Sequence, residues 1–165
     1  MKKEKKVYSV KAKGIAYMNY AKWLSMIMVI IFMALILYFM VAQKLSYVAI
    51  IQENPILLAG FIDCLGNIIV SFLIKKDVEK LYKNEDVLYI QAKTLLYVTM
   101  EACLLNMPSM IFLIISSMKC YLWDKKTIME LWKTIKNRAI EFVGMSCLFL
   151  IIVICFYWIL TSFSY

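Results

Sequence analysis

The sequence predicts an all-α fold: a polytopic membrane protein built as a four-helix transmembrane bundle, with a short basic amphipathic N-terminal segment. Three observations predict it. Hydrophobic residues make up 64% of the 165, and the mean hydropathy is +0.76, whereas soluble domains hold about 45–50% apolar residues. These residues gather in four runs, 23–43, 55–74, 94–118 and 142–160. At 1.5 Å per residue each run is about long enough to cross a ~30 Å hydrocarbon layer. The charged residues, 19 Lys and Arg against 11 Asp and Glu for a formal charge of +8, fall mostly between the runs. The runs account for nearly all the mass, so residues 1–165 are expected to form a single transmembrane domain.

The tail carries Lys2, Lys3, Lys5, Lys6, Lys11, Lys13 and Lys22 against Glu4 alone. Val7, Val10, Ile15 and Met18 form a weak apolar stripe, which predicts a helix on the membrane surface with its lysines at anionic headgroups. Tyr17, Tyr20 and Trp23 mark the interface. Trp23–Gln43 has no charge. A signal peptide would have an apolar region of roughly 7–15 residues. This run is longer, and Met40-Val41-Ala42 is a poor cleavage site, so it is expected to be retained as a span.

Asn54-Pro55 opens the second run with proline in the first helical turn. Asp63, Asn67 and Ser71 follow four apart, which places them on one helix face. Gly60 lies close to that face and admits a neighbouring helix. Between Lys75 and Lys93 basic residues, Lys76 and Lys80 among them, alternate with Asp77, Glu79, Glu85 and Asp86. Val78, Leu81 and Tyr82 keep helical spacing there, so helices should run on past the lipid with solvated ends, a partner-docking surface being the alternative.

The third run holds Glu101, Asn106 and Pro108 in its middle. A carboxylate at mid-bilayer costs a few kcal/mol, so Glu101 is expected to face protein or trapped water. In a continuous helix Pro108 would leave the Leu104 carbonyl without a donor. Beyond it, Lys119–Glu141 is basic, and Ile128, Trp132, Ile135 and Ala139 recur at helical spacing, as in an amphipathic interfacial helix. The last run ends in Phe156-Tyr157-Trp158.

Four spans with a cytoplasmic N-terminus put the lysine-rich tail and the 75–93 connection inside, which satisfies the positive-inside bias. They also leave the basic 119–141 segment outside. In a second topology 94–105 and 107–118 are limbs of a re-entrant hairpin turning at Asn106. All 19 Lys and Arg except Lys44 then lie inside, and the C-terminus lies outside. A run this long without Lys or Arg is more often one helix, and a hairpin needs other helices to cover its turn, so four spans is the expectation.

The chain has no histidine, hence neither the commonest general base nor the commonest metal ligand. Five cysteines form no C-x-x-C pair and read as small buried hydrophobes. With four glycines there is no Gly-rich phosphate loop. No enzyme, cofactor or metal site is expected. Nucleic-acid binding is excluded because the basic residues sit in short segments beside spans.

The intramembrane polar candidates are Asp63, Asn67, Ser71, Glu101, Asn106 and Pro108. The lipid- or partner-facing cations are Lys2, Lys3, Lys5, Lys6, Lys11, Lys13, Lys75 and Lys76. The leading expectation is a non-enzymatic protein of the cytoplasmic membrane acting through other membrane proteins or its own oligomer, as an accessory or assembly subunit or an immunity-type protein. The alternative is a small ion- or proton-coupled transporter or channel using Glu101 and Asp63.

Overall fold

Long unbroken apolar sequence makes helix throughout. The computed structural model describes residues 12–44, 46, 48–49, 54–121 and 123–162, and among them it is all-helical, with six helices and no strand. They are α1 (Ala12–Gln43), α2 (Pro55–Tyr82), α3 (Val87–Cys103), α4 (Met107–Cys120), α5 (Lys125–Asn137) and α6 (Ala139–Ser162). Three of them, α1, α2 and α6, are long and apolar enough to cross a membrane. The apolar windows of α1 and α6 are each only 11% buried, so these helices turn hydrocarbon side chains outward.

Local chemistry sets the ends. Asn54 caps α2, its side-chain oxygen accepting from the N–H of Ile56 at 3.1 Å and of Leu57 at 3.3 Å. Asp124 caps α5, accepting from Thr127 N–H at 2.8 Å. The turn from α2 to α3 is a Schellman motif with Asn84 in the left-handed region (φ 55°), closed by Glu85 N–H to Lys80 O at 2.9 Å and Asn84 N–H to Leu81 O at 3.0 Å. Asparagine tolerates that backbone.

Two expectations are corrected here. The interfacial helix expected in the tail is not separate over its described part: α1 starts at Ala12, well before Trp23, and Ile15 and Met18 are buried. Its packing explains this, because Gly14 lets α1 lie directly on the end of α4, and Ser116 Oγ donates to Gly14 O at 2.8 Å. Lys2, Lys3, Lys5, Lys6, Lys11, Val7 and Val10 lie outside the described residues.

The other correction concerns 94–118, which is not one helix. It breaks at Leu104–Asn106, and α3 and α4 fold back on each other as an antiparallel hairpin. Thr94 Oγ1 and the Tyr121 hydroxyl, at the two open ends, are 3.3 Å apart; a continuous helix would hold them roughly 40 Å apart. The break is a second Schellman turn, with Asn106 N–H to Glu101 O at 2.9 Å and Leu105 N–H to Ala102 O at 3.2 Å. Pro108 then opens α4 from its first turn, where a missing N–H leaves no carbonyl stranded. The same proline that would damage a long helix starts a short one.

The hairpin tip is level with the middle of α2: Asn106 bonds to Asn67, and a Cβ on Gly66 would press on Leu104. On the tip's other side lies α1, antiparallel to α4 through Ser109–Ala21 and Ser116–Gly14. Helices α1, α2 and α6 thus surround a hairpin that reaches about halfway along them.

Candidate functional site

Helix α3 brings Glu101 to the tip because it lies one turn before the break. Its carboxylate is fully buried. Oε1 accepts from Ser25 Oγ of α1 at 2.8 Å, and Ser25 Oγ stands 3.0 Å from Ser109 Oγ of α4. Ala21 O accepts from both hydroxyls, at 3.1 Å and 3.3 Å. Glu101 Oε2 has no hydrogen-bond partner.

Asn106, 1% exposed, joins the site from the turn itself. Its Nδ2 donates to Asn67 Oδ1 at 2.7 Å, and Asn67 Nδ2 donates in turn to Asp63 Oδ1 at 3.0 Å. Its own Oδ1 is buried and lacks a donor. The side chain also touches Glu101, on which Asp63 acts electrostatically as well. Asp63, Asn67, Asn106, Glu101, Ser25 and Ser109 therefore form one polar string across four helices and the α3–α4 turn, with part-buried Asp63 at one end. Among the described residues no Lys or Arg pairs with either carboxylate of the string.

Of the residues singled out from sequence, Asp63, Asn67, Glu101 and Asn106 come together. Ser71 does not: its hydroxyl donates to Lys22 O at 3.3 Å, tying α2 to α1 nearer the charged end. Pro108 shapes the tip and is itself exposed. Ser25 and Ser109 were not foreseen. A serine in a helix usually bonds its own i−4 carbonyl, as Ser25 does to Ala21, so nothing in the sequence marks it as a ligand.

Leu105, between them, has φ 60°. That region is uncommon for a bulky residue and costs roughly 1–2 kcal/mol. Such strain gathers at functional turns.

The charged end carries a second buried carboxylate. Asp77 is 2% exposed, with Oδ1 on Lys93 Nζ at 2.6 Å and Oδ2 accepting from the Tyr97 hydroxyl at 2.7 Å. The charge alternation of 75–93 had placed it on a solvated helix end, but the packing of α3 against α2 encloses it. Outside it, Asp86 bridges Lys80 at 2.9 Å and Arg138 at 3.1 Å, so α6 begins beside the α2–α3 turn. These bonds hold the Asp86 carboxyl below the usual carboxylate range, Lys80 first. On α5, Thr127 and Leu131 face inward while Ile128 and Trp132 of the expected stripe are exposed.

No protein-family model matches the chain, nor does any curated protein or solved structure. Among the described residues no cluster of His, Cys, Asp and Glu could hold a metal ion.

Proposed function

We propose that this is a multi-pass protein of the cytoplasmic membrane, with three spans around a re-entrant hairpin, that binds and releases a proton or small monovalent cation at the hairpin tip as part of a small coupled transporter. One observation carries the reading. Among the described residues neither Glu101 Oε2 nor Asn106 Oδ1, both buried, has a hydrogen-bond partner within bonding distance, and the Asn106 side chain lies close enough to Glu101 to favour its charged form. A buried network that serves only to hold helices together tends to be closed, because each orphan acceptor costs ~1–3 kcal/mol. A single proton on Glu101 removes the buried charge that no Lys or Arg among the described residues balances, and a small monovalent cation at the carboxylate would balance it instead.

Amide side chains do not readily relay protons, so the Asn67–Asn106 link positions Glu101 and couples it to Asp63 rather than acting as a wire. Release then requires the tip to move, and Leu105 in a strained backbone is placed for that. Enclosing a path calls for a second copy or another membrane protein, which keeps the expectation of partners.

The test is flux in proteoliposomes loaded with a pH- or cation-sensitive dye. Glu101→Gln is expected to abolish flux while leaving the melting temperature intact, and Asp63→Asn to slow it. Flux unchanged in both variants overturns the proposal and leaves a protein that acts through partners alone.

Topology has its own test. In a background without native cysteines, positions after Lys126 and at Tyr165 are expected to differ: an impermeant thiol reagent on intact cells labels the second and not the first.

A further inference from the structure

Two crevices run along α2 on either side of one ridge. The ridge is Ile68, Phe72 and Lys76, spaced four apart, all exposed. The first crevice, about 560 Å³, lies between α2 and α6 and is closed at the charged end by α3. Its deep part is apolar, with Leu73, Met145 and Leu148, and its mouth holds Lys76, Lys80, Lys93 and Arg138. The second, about 380 Å³, lies between α2 and α1 and is lined by Trp23, Met26 and Ser71, with Lys22 and Lys75 at its mouth. Ile68 and Phe72 line both.

The mouth has a charge to place. Lys93 is taken by Asp77, while Lys80 and Arg138 share Asp86 and Arg138 also reaches Glu141 at 2.7 Å. Lys76 pairs with no carboxylate among the described residues; its ammonium sits 4.5 Å above the Phe72 ring. At the first mouth four cations thus meet three carboxylates, and with Lys22 and Lys75 at the second the site carries a positive surplus that suits the anionic phosphodiester of a headgroup.

The apolar part has room. Gly144 of α6 lines the first crevice, and a Cβ there would meet nothing within 4 Å. From Ile68 to Lys76 the ridge rises roughly 12 Å at 1.5 Å per residue, enough for the upper part of an acyl chain.

We propose that this ridge and its two crevices seat one anionic diacyl phospholipid. Its phosphate rests on Lys76, and one acyl chain lies in each crevice. The proposal depends on the membrane placement given above and is independent of the proton site. A chain pair straddling Phe72 would be held by contact on both sides of the ring, and the headgroup would draw on a cation that has no other carboxylate to serve.

The experiment is thermal melting of the full-length protein in mild detergent, titrated separately with phosphatidylglycerol, phosphatidylcholine and sodium phosphate, alongside native mass spectrometry. Phosphatidylglycerol is expected to raise the melting temperature with one lipid retained, phosphatidylcholine to do so weakly, and inorganic phosphate not at all. Lys76→Gln should weaken the apparent affinity roughly fivefold. Gly144→Leu fills the first crevice and should abolish the shift. Equal shifts from both lipids would mean an unselective lipid coat, and a shift from phosphate alone a headgroup site without chains; either overturns the proposal. If Gly144→Leu does not fold, the wild-type lipid comparison and Lys76→Gln still decide. Loss of flux in Glu101→Gln, or its persistence, does not bear on this result.

Discussion

Asp77 and Glu101 are both buried carboxylates, and they differ in every bond they make. Asp77, at the charged end, has an ammonium on one oxygen and a phenol hydroxyl on the other. Glu101, at the hairpin tip, has only neutral neighbours, Ser25, Ser109 and Asn106, and among the described residues no cation. A buried carboxylate with a cation and a hydroxyl is complete, and its removal leaves a stranded charge. A buried carboxylate with only neutral neighbours has its charge unbalanced, and a proton can balance it. The difference separates a group that fastens helices from a group that can change state.

The largest expected effect is at the complete site. Asp77→Ala leaves Lys93 unpaired in a nearly closed space, which costs ~3–5 kcal/mol by the usual behaviour of broken buried pairs. Melting curves in detergent for Asp77→Ala, Lys93→Met and the double variant check it. The double variant should lose much less than the sum of the singles, since neither then strands a charge. Full additivity would mean the pair is not coupled and the contrast with Glu101 fails.

Next comes the incomplete site. Glu101→Leu removes the acceptor of Ser25, which keeps Ala21 O, and the Asn106 contact, and should cost between ~0.6 kcal/mol, the average for an intramembrane hydrogen bond, and ~2 kcal/mol. Glu101→Gln keeps an acceptor for Ser25 and removes an unbalanced buried charge, and should match or slightly exceed wild type. A Gln variant that melts like the Leu variant would show that the site is not short of a proton.

Leu105 sharpens the comparison, because the two Schellman turns bounding α3 use different residues for the same left-handed position. Asn84 suits it; Leu105 does not, and is itself 58% exposed, so little burial is lost on shortening it. Leu105→Gly should relieve strain and stabilise by up to ~1 kcal/mol, against the larger loss that glycine causes in ordinary positions. Destabilisation by the same change would mean the side chain matters more than the backbone.

The smallest effect is electrostatic. Asp86 has its carboxyl held low by Lys80 and then Arg138. A depressed folded value means that its contribution is complete above the unfolded pKa of about 3.9 and fades as pH falls through the lower folded one. The side chain is 40% exposed, and surface pairs are worth under ~1 kcal/mol. Asp86→Asn should therefore lower stability at neutral pH by under ~1 kcal/mol, with the variant and wild-type curves converging in acid, so that the acid limb is slightly flatter.

Much of the fold was legible in hydropathy and length. Trp23–Gln43 and 142–160 needed nothing more, because a long uncharged run has one stable solution in lipid. Asn106 and Pro108 carried the hairpin as an alternative, and length argued against it. What overrode length was the packing of the tip's inner residues, Leu104, Asn106 and Ser109, against α1 and α2, which is tertiary and leaves no periodic trace. Asp63, Asn67 and Glu101 stood out as polar residues in apolar runs. Ser25 and Ser109 did not, since a small hydroxyl in a span satisfies itself locally. The enclosure of Asp77 was hidden for a related reason: alternating charge looks the same on a free helix end as on one a neighbour has covered.

The close approach of Gly14 to Cys120 has a mechanical consequence. A Cβ at Gly14 would lie 2.6 Å from the Cys120 backbone nitrogen, so the outer end of α4 is clamped main chain to main chain. At the other end, some 20 Å along the helix, α4 meets α1 through the Ser109 hydroxyl, which rotates freely about one bond. The hairpin is thus held main chain to main chain at its charged end and through side chains at its tip. Turning it by roughly 8° about its charged end sweeps the tip ~3 Å, the length of one hydrogen bond. A tilt that small about the clamped end would suffice to exchange hydrogen-bond partners at the tip.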